Sequence, residues 1–462
     1  MADQPNVLVV LPDQHRGMAT APAGNTDVHT PTLERLAEEG AHCPNAYANV
    51  PVCTPNRGCF LTGQYPHDHG AVANDLSMRS DVETIGETFQ DAGYNTAYVG
   101  KWHLDGIPRD KFTPPGPRRH GFDHWAVYNC HVDFFGGHYY RDTSEKEHFN
   151  DYEPIALTDM ALEFLDEQRT DEDPFCLVVS PHPPHAPYED VPQRYRDQYD
   201  PAEIDLRPNV DTDATGAPQD GGDLAEDLAN YYANVTAVDE QVGRLLDWLD
   251  EADEADDTVV LYTSDHGDMI WSQGYHGKSQ PYEESIHVPF FCRYPEKVPA
   301  GSTPEQIVST VDVAPTLCSL AGVGELPDAR GVDLASALQG DNQEGPSSAF
   351  IGLPKTVDIS VVNDLPAWRG VRTEQYTYAR RADGSPWLLY DNESDPYQQE
   401  NLVDTETSAD LVTQLDAEVD RWVEHTGDPD LSGEELLAEL GLIEAWNQRE
   451  RSRHPENPQL VE

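Results

Sequence analysis

Val7-Leu8-Val9-Val10-Leu11, followed at once by Pro12-Asp13-Gln14, is the stretch from which the rest of the chain can be read. Five consecutive apolar residues bounded by a proline predict a strand buried on both faces, since nothing in the run alternates with polar residues. Phe175 to Ser180 and Thr258 to Thr263 have the same character. Between them lie helical patterns at Thr32 to Glu39, Ser80 to Ala92 and Ala225 to Asp250, the last with Tyr231, Val235, Val238, Val242, Leu245 and Leu249 on one face. Strands alternating with helices over most of the chain predict an α/β fold, a large mixed, mostly parallel sheet sandwiched by helices. Ligands of such sheets collect beyond the carboxyl ends of the strands. Asp13-Gln14 and Asp265-His266 both follow buried strands directly, so they belong in that crevice. Carboxylate, amide oxygen and imidazole make a mainly hard donor set suited to Ca²⁺, Mg²⁺ or Mn²⁺, although each pair by itself also reads as a turn or helix cap.

The pattern changes after about Gly340. Short segments at Trp368 to Ala379 and Trp387 to Tyr390, then a helix from Leu411 to Val423, predict a smaller α+β subdomain over 341–447, following a first domain of 1–340. The stretch from Gln448 to Glu462 is polar and reads as an extended tail, and Asp200 to Asp223, rich in Asp, Gly and Pro, reads as an acidic surface loop.

The 462 residues hold 85 Asp+Glu against 29 Lys+Arg, a formal charge of −56. That balance excludes nucleic-acid binding as the main business and argues against docking on an anionic membrane, because both need clustered cations. Only six lysines are present: Lys101, Lys111, Lys146, Lys278, Lys297 and Lys355. An acid-rich, lysine-poor surface is the composition expected of a halophile, where salt screens the self-repulsion. No apolar run approaches the roughly 18 residues of a membrane span. The start, Met1-Ala2-Asp3-Gln4-Pro5, has neither a basic segment nor a twin arginine, so a cytoplasmic protein is expected. Seven cysteines at irregular spacing do not make a disulfide framework and read mainly as small buried apolar residues.

Cys53-Thr54-Pro55-Asn56-Arg57-Gly58-Cys59-Phe60-Leu61-Thr62-Gly63 carries more chemistry than any other stretch. Pro55 fits the first turn of a helix, which sets Cys53 near a helix N-terminus, where backbone N–H groups favour an anion. The run resembles the signature of the formylglycine-dependent sulfatases of the alkaline phosphatase superfamily, departing from its commonest form only at Asn56, where Ser is usual. Further segments resemble that family in order along the chain. They are Gly93-Tyr94 through Gly100-Lys101-Trp102-His103-Leu104, Pro181-His182-Pro183-Pro184, and His276-Gly277-Lys278 with Tyr282-Glu283-Glu284. Asp312-Val313-Ala314-Pro315-Thr316-Leu317 and the late Leu389-Tyr390-Asp391, Asp395-Pro396 and Asn401-Leu402 follow.

The resemblance implies a sulfatase that hydrolyses a sulfate monoester to alcohol and inorganic sulfate. It implies that a formylglycine-generating enzyme oxidises Cys53 to formylglycine, whose hydrate attacks sulfur. It implies one divalent cation, calcium first with manganese or magnesium as alternatives, held by Asp13, Gln14, Asp265, His266 and the modified Cys53. Arg57 and Lys101 would hold position 53, His182 with Lys278 would protonate the departing alcohol, and His103 would deprotonate the second hydroxyl to expel sulfate. Physics agrees on the lysines: a sulfate ester is an anion, and this lysine-poor chain keeps Lys101 and Lys278 inside motifs. Asn74 reads as either a substrate contact or a loop cap, and His276 as a sulfate contact or a support for the Lys278 loop. His185 is a weaker substrate contact, and the aromatic segment Tyr128 to Tyr140 reads better as packing than as pocket wall. A sulfated small molecule or saccharide is the expected substrate, and the tail is a feature through which an oligomer could form. Two alternatives stay open: a phosphonate monoester or phosphodiester hydrolase using the same site, and a non-catalytic sulfate-ester or metal-binding relative with unmodified Cys53.

Overall fold

The structure is a computed structural model that describes residues 4–169, 173–210, 224–341, 345–356 and 365–453. Seven strands form the central sheet: β1 (Asn6–Val10), β2 (Ala41–His42), β3 (Asn95–Lys101), β4 (His124–Tyr128), β5 (Phe175–Ser180), β6 (Thr258–Thr263) and β7 (Phe290–Arg293). Their order across the sheet is β2-β7-β6-β1-β5-β3-β4. The five strands from β6 to β4 run parallel, and β7 lies antiparallel to both β6 and β2. This is the mixed, mostly parallel sheet that the buried apolar runs predict, and β1 occupies its middle, pairing Val10 with Val179 on one side and Tyr262 on the other.

Alternation along β1 explains why the strand is apolar throughout. Val7 and Val9 point into one core with Phe60, Leu61 and Leu317, whereas Leu8 and Val10 point into another with Leu33, Leu157 and Leu245. The first core lies under the helices Cys53–Thr62 and Thr310–Ala321, the second under Pro31–Glu39, Glu153–Gln168 and Leu224–Glu251. A sheet covered on both faces leaves its strand ends as the open place for a ligand.

The C-terminal region builds a four-stranded antiparallel sheet, β8 (Ser348–Leu353), β9 (Trp368–Thr373), β10 (Tyr376–Arg381) and β11 (Pro386–Asp391). Val371, Tyr378 and Leu389 on one face pack against Leu415 and Val419 of the helix Ala409–Thr426. Trp368, Ala379 and Leu388 on the other face pack against Met269 and Tyr282, so this sheet is seated on the loops that follow β6.

Four expectations need correction. The helix expected from Ser80 begins only at Ile85, where Thr84 forms a capping box with Glu87. The segment Trp368 to Ala379 is two strands, turned back at Glu374 and Gln375. From Gln448 to Arg453 the expected tail is helical instead: a helix runs from Ile443 to Arg453 and buries Arg449. Polar composition hid it, because it is held by a few long side chains rather than by an apolar stripe. Within the expected acidic loop, Pro201–Glu203 forms a short 3-10 turn, while 211–223, like the end of the chain at 454–462, lies outside the described residues.

Candidate active site

Four adjacent strands deliver the site. Asp13 follows β1, Asp265 and His266 follow β6, His182 follows β5, and Lys101 is the last residue of β3. Because these strands are parallel neighbours, their carboxyl ends lie side by side and the side chains converge. Cys53 opens the helix Cys53–Thr62 against them, fully buried. Its Sγ lies 2.9 Å from Lys278 Nζ, 3.2 Å from His266 Nε2 and 3.7 Å from Asp13 Oδ1.

Charge is balanced in layers. Lys101 Nζ donates to Asp13 Oδ2 at 2.5 Å and lies 2.8 Å from His182 Nε2. Arg57 donates through Nε to Asp265 Oδ2 at 2.9 Å and through Nη1 to the Lys101 carbonyl at 2.9 Å and to Ser180 Oγ at 2.8 Å. Lys278 Nζ also donates to Gln14 Oε1 at 2.8 Å, while the Gln14 backbone N–H donates to Asp265 Oδ1 at 3.0 Å. Gln14 takes a left-handed backbone, φ 72°, which turns the chain back toward the β6 loop. Asp268, which sequence reasoning overlooks, accepts from Gln14 Nε2 and from the Tyr188 hydroxyl.

These contacts set the protonation states. Burial alone would raise the Asp13 carboxyl, but the Lys101 and Lys278 ammonium groups hold it well below the carboxylate range. Burial and Asp13 push the Cys53 thiol up, and Lys101, Lys278 and His266 overcome both, so position 53 sits where negative charge is stabilised. His182 is pushed far below the usual imidazole value by burial and by Lys101. Burial and the Asp13 charge raise Asp265 to about 6. His103 runs the other way. Despite burial, the negative charge of a Cys130 thiolate and the hydrogen bond to Asp75 raise it to about 10.

The side-chain atoms of Asp13, Cys53, Asp265 and His266 lie within 4.8 Å of one another, all buried. Two carboxylates and an imidazole converging from buried side chains are a donor set that fits one divalent cation, whose charge would offset the Asp13–Asp265 repulsion. Gln14 stands beside this group with its amide oxygen turned to Lys278.

A cavity of about 130 Å³ opens over Cys53, walled by Lys101, His103, His182, His185 and Lys278. Asn74 also lines it, and its Oδ1 accepts from the Thr54 backbone N–H at 2.9 Å, capping the helix that carries Cys53. The capping half of its reading is therefore realised. His276 does not line this cavity. Its Nε2 lies 3.3 Å from the Tyr188 hydroxyl and its ring is tilted against that of Trp271, with the centroids 5.1 Å apart. The Tyr128 to Tyr140 segment does both jobs. Tyr128 stacks on His131, while Cys130 and Val132 face the cavity.

Several residues at the site left no signal in the sequence. Asp75 accepts from His103 Nε2 at 3.0 Å and from Arg109 Nε at 2.7 Å, Arg109 lines the cavity, and Arg449 and Arg453 reach it from the last helix. Glu153 sits under His182, accepting from its backbone N–H at 2.8 Å. Only the four-residue spacing of Arg449 and Arg453, on one face of a helix, could have flagged that pair.

Comparison with known proteins agrees with this geometry. The sulfatase family model matches residues 5–323, and the model of the N-sulphoglucosamine sulphohydrolase C-terminal region matches 272–425. The chain is 37% identical to an ulvan-active sulfatase of Formosa agariphila over 445 residues, covering 95% of this chain and 85% of that protein. It is 31% identical to an endo-4-O-sulfatase of Bacteroides thetaiotaomicron, covering 93% of each. A putative sulfatase structure from Bacteroides fragilis superposes with a TM-score of 0.82 at 30% identity, over 92% of this chain and 97% of that one. With a family model spanning well over half its length and relatives this similar from end to end, the chain belongs to the sulfatase family.

Proposed function

We propose that the protein hydrolyses a sulfate monoester to an alcohol and inorganic sulfate at position 53, after a formylglycine-generating enzyme has converted Cys53. One observation carries the reading: Cys53 opens a helix with Lys278, His266 and Asp13 all within 4 Å of its Sγ. A sulfate monoester placed there meets the ammonium groups of Lys101 and Lys278 at the N-terminal end of that helix.

When bound, a divalent cation and the formylglycine hydrate supply an oxygen nucleophile and Lewis-acid stabilisation of the sulfuryl oxygens. Asp13, Asp265 and His266 would hold the cation, with Gln14 beside them, and calcium suits so oxygen-rich a set. Arg57 fixes Asp265 and, through the Lys101 carbonyl, the end of β3. Lys101 holds Asp13 ionised and, donating to His182 Nε2, leaves the His182 proton on Nδ1, which has no partner. An anionic ester raises His182 from its depressed state and lets it share with Lys278 the protonation of the departing alcohol. His103, oriented by Asp75, handles the proton at position 53 when sulfate leaves. Asn74 and His276 serve as positioning residues for the helix of Cys53 and the loop of Lys278.

A division between 1–340 and a C-terminal subdomain from 341 is part of the same proposal, supported by a separate antiparallel sheet that starts at Ser348; the helix Ile443–Arg453 runs across the boundary expected at 447. A reducing, cytoplasmic location is supported by seven buried cysteines with no disulfide among them. No helix among the described residues is long and apolar enough to cross a membrane.

The test combines mass and turnover. The peptide holding residue 53 should weigh about 18 Da less than its cysteine form, the mass lost when S and two H are exchanged for O. Cys53→Ala should lose sulfate release by at least about 10³-fold while keeping its melting temperature, because the chemistry goes but little volume changes. An unmodified Cys53 in active protein, or steady turnover by Cys53→Ala, would sink the mechanism. Parallel assays with a phosphonate monoester and a phosphodiester separate the alternative: faster turnover of either would displace the sulfate reading.

A further inference from the structure

The cavity over Cys53 is more basic than one sulfate group requires. Lys101, Lys278, Arg109, Arg449 and Arg453 line it, and no carboxylate does among the described residues. The chain has 29 basic residues in 462, so five in one small cavity is a strong concentration in a protein of net charge −56. Asp13, Asp75 and Glu450 offset part of this charge from behind the cavity wall, and an anionic ligand in the cavity would offset more of it.

The three arginines form a group apart from the lysines. Lys101 and Lys278 lie on Asp13 and Cys53 at the floor. The arginines gather around Asp75, which accepts from Arg109 Nε and Nη2 at 2.7 and 2.9 Å, with Arg453 Nε at 3.7 Å and Arg449 Nε at 3.9 Å. The same carboxylate holds His103 at 3.0 Å. Arg449 is buried, pairs with Glu450 and donates to the Asn74 carbonyl at 2.9 Å, which ties the last helix to the loop that caps Cys53. Arg109 and Arg453 each keep 30% of their side-chain surface exposed, and so form the rim.

We propose that Arg109 and Arg453 form a second anion subsite that reads a carboxylate or a further sulfate on the substrate, with Arg449 positioning the helix that carries Arg453. The preferred substrates are then sulfate esters of polyanionic saccharides rather than of neutral alcohols. This rests on the sulfate-ester reading above and adds which esters are chosen.

A pair of probes differing by one charge tests it: sulfooxybenzoate, as 3- and 4-isomers, against the matching sulfooxybenzamide. Protein converted at position 53 should show a kcat/KM ratio favouring the carboxylate by about tenfold or more, the worth of one charge-assisted hydrogen bond, mainly through KM. Arg453→Gln should bring that ratio close to one, whereas Arg451→Gln, on the same helix and paired with Glu444, should leave it in place. Equal rates on carboxylate and carboxamide in the unmutated chain, or a preference that survives Arg453→Gln, would overturn the subsite and leave the sulfatase reading standing. Absence of sulfate release from every probe would overturn the reading beneath it instead.

Discussion

Lys101 shows how one side chain can hold a site together. Its ammonium bridges Asp13 and His182 at 2.5 and 2.8 Å, both fully buried, so its charge keeps one partner ionised and the other neutral. Such a residue is legible in a sequence only as a motif position, since nothing local reveals which acid it will meet. Glu153 is the opposite case, wholly unread and yet one residue removed from the chemistry. Its Oε1 accepts from the Tyr128 hydroxyl at 2.6 Å and from the His182 N–H at 2.8 Å, while Oε2 has no partner. Burial raises its pKa from 4.5 to about 7. A raised carboxyl is protonated in the folded state where the unfolded chain has already ionised, so its contribution is full below about pH 4.5 and lost as pH rises through 7. Glu153→Gln removes that dependence. The stability of the variant relative to the parent should climb between pH 5 and 8, by up to about 3 kcal/mol, in paired denaturant titrations. A difference that stays level across this window would mean Glu153 is not the buried acid described here.

At the scale of elements, the motif Gly100-Lys101 depends on strand packing. Gly100 has φ 112°, and a Cβ there would stand 2.2 Å from the Ser180 carbonyl oxygen. No side chain fits, so β3 and β5 approach closely enough for Lys101 and His182 to meet. Gly100→Ala should therefore separate the two strand ends. We expect a loss of several kcal/mol in stability, with overpacking and strain both contributing, and loss of sulfate release from whatever fraction folds. A variant with unchanged melting temperature and activity would show that the close approach is not required. The helices divide in the same terms. Leu224–Glu251 was readable because its apolar stripe faces a core, but Ile443–Arg453 was not, because its anchors are Trp446 and the stem of Arg449.

For the whole molecule, the charge of −56 is the dominant physical fact. Buried bases such as Arg16, Arg57, Lys101 and Arg449 are matched by buried acids such as Asp13, Asp75, Asp265 and Glu283, so burial cancels little of the net charge. The surface carries that charge, with carboxylates such as Asp247, Asp250 and Glu251 on one helix end. Self-repulsion of such a surface weakens as the Debye length falls from about 10 Å at 0.1 M salt to 3 Å at 1 M. The melting temperature, measured with saturating divalent ion from about 0.1 to 3 M KCl, should rise throughout. A flat or falling series would remove the halophile reading and return the charge to a partner or substrate role.

What the residues alone determined is the part of this protein written in contiguous runs. Buried strands, amphipathic helices and the Cys53 motif each depend on neighbours in sequence, and they were enough to predict the α/β sheet and to single out Asp13, Cys53, Lys101, His182 and Asp265, which the structure brings together at its carboxyl ends. The tertiary structure decided what depends on residues far apart. Asn74 becomes a cap for Thr54, Asp75 gathers His103 and three arginines, and Arg449 and Arg453, some 340 positions away in the chain, reach the same cavity as Arg109. Long-range electrostatic partners have no sequence period, because burial and charge pairing act through space and only chain closure brings them together.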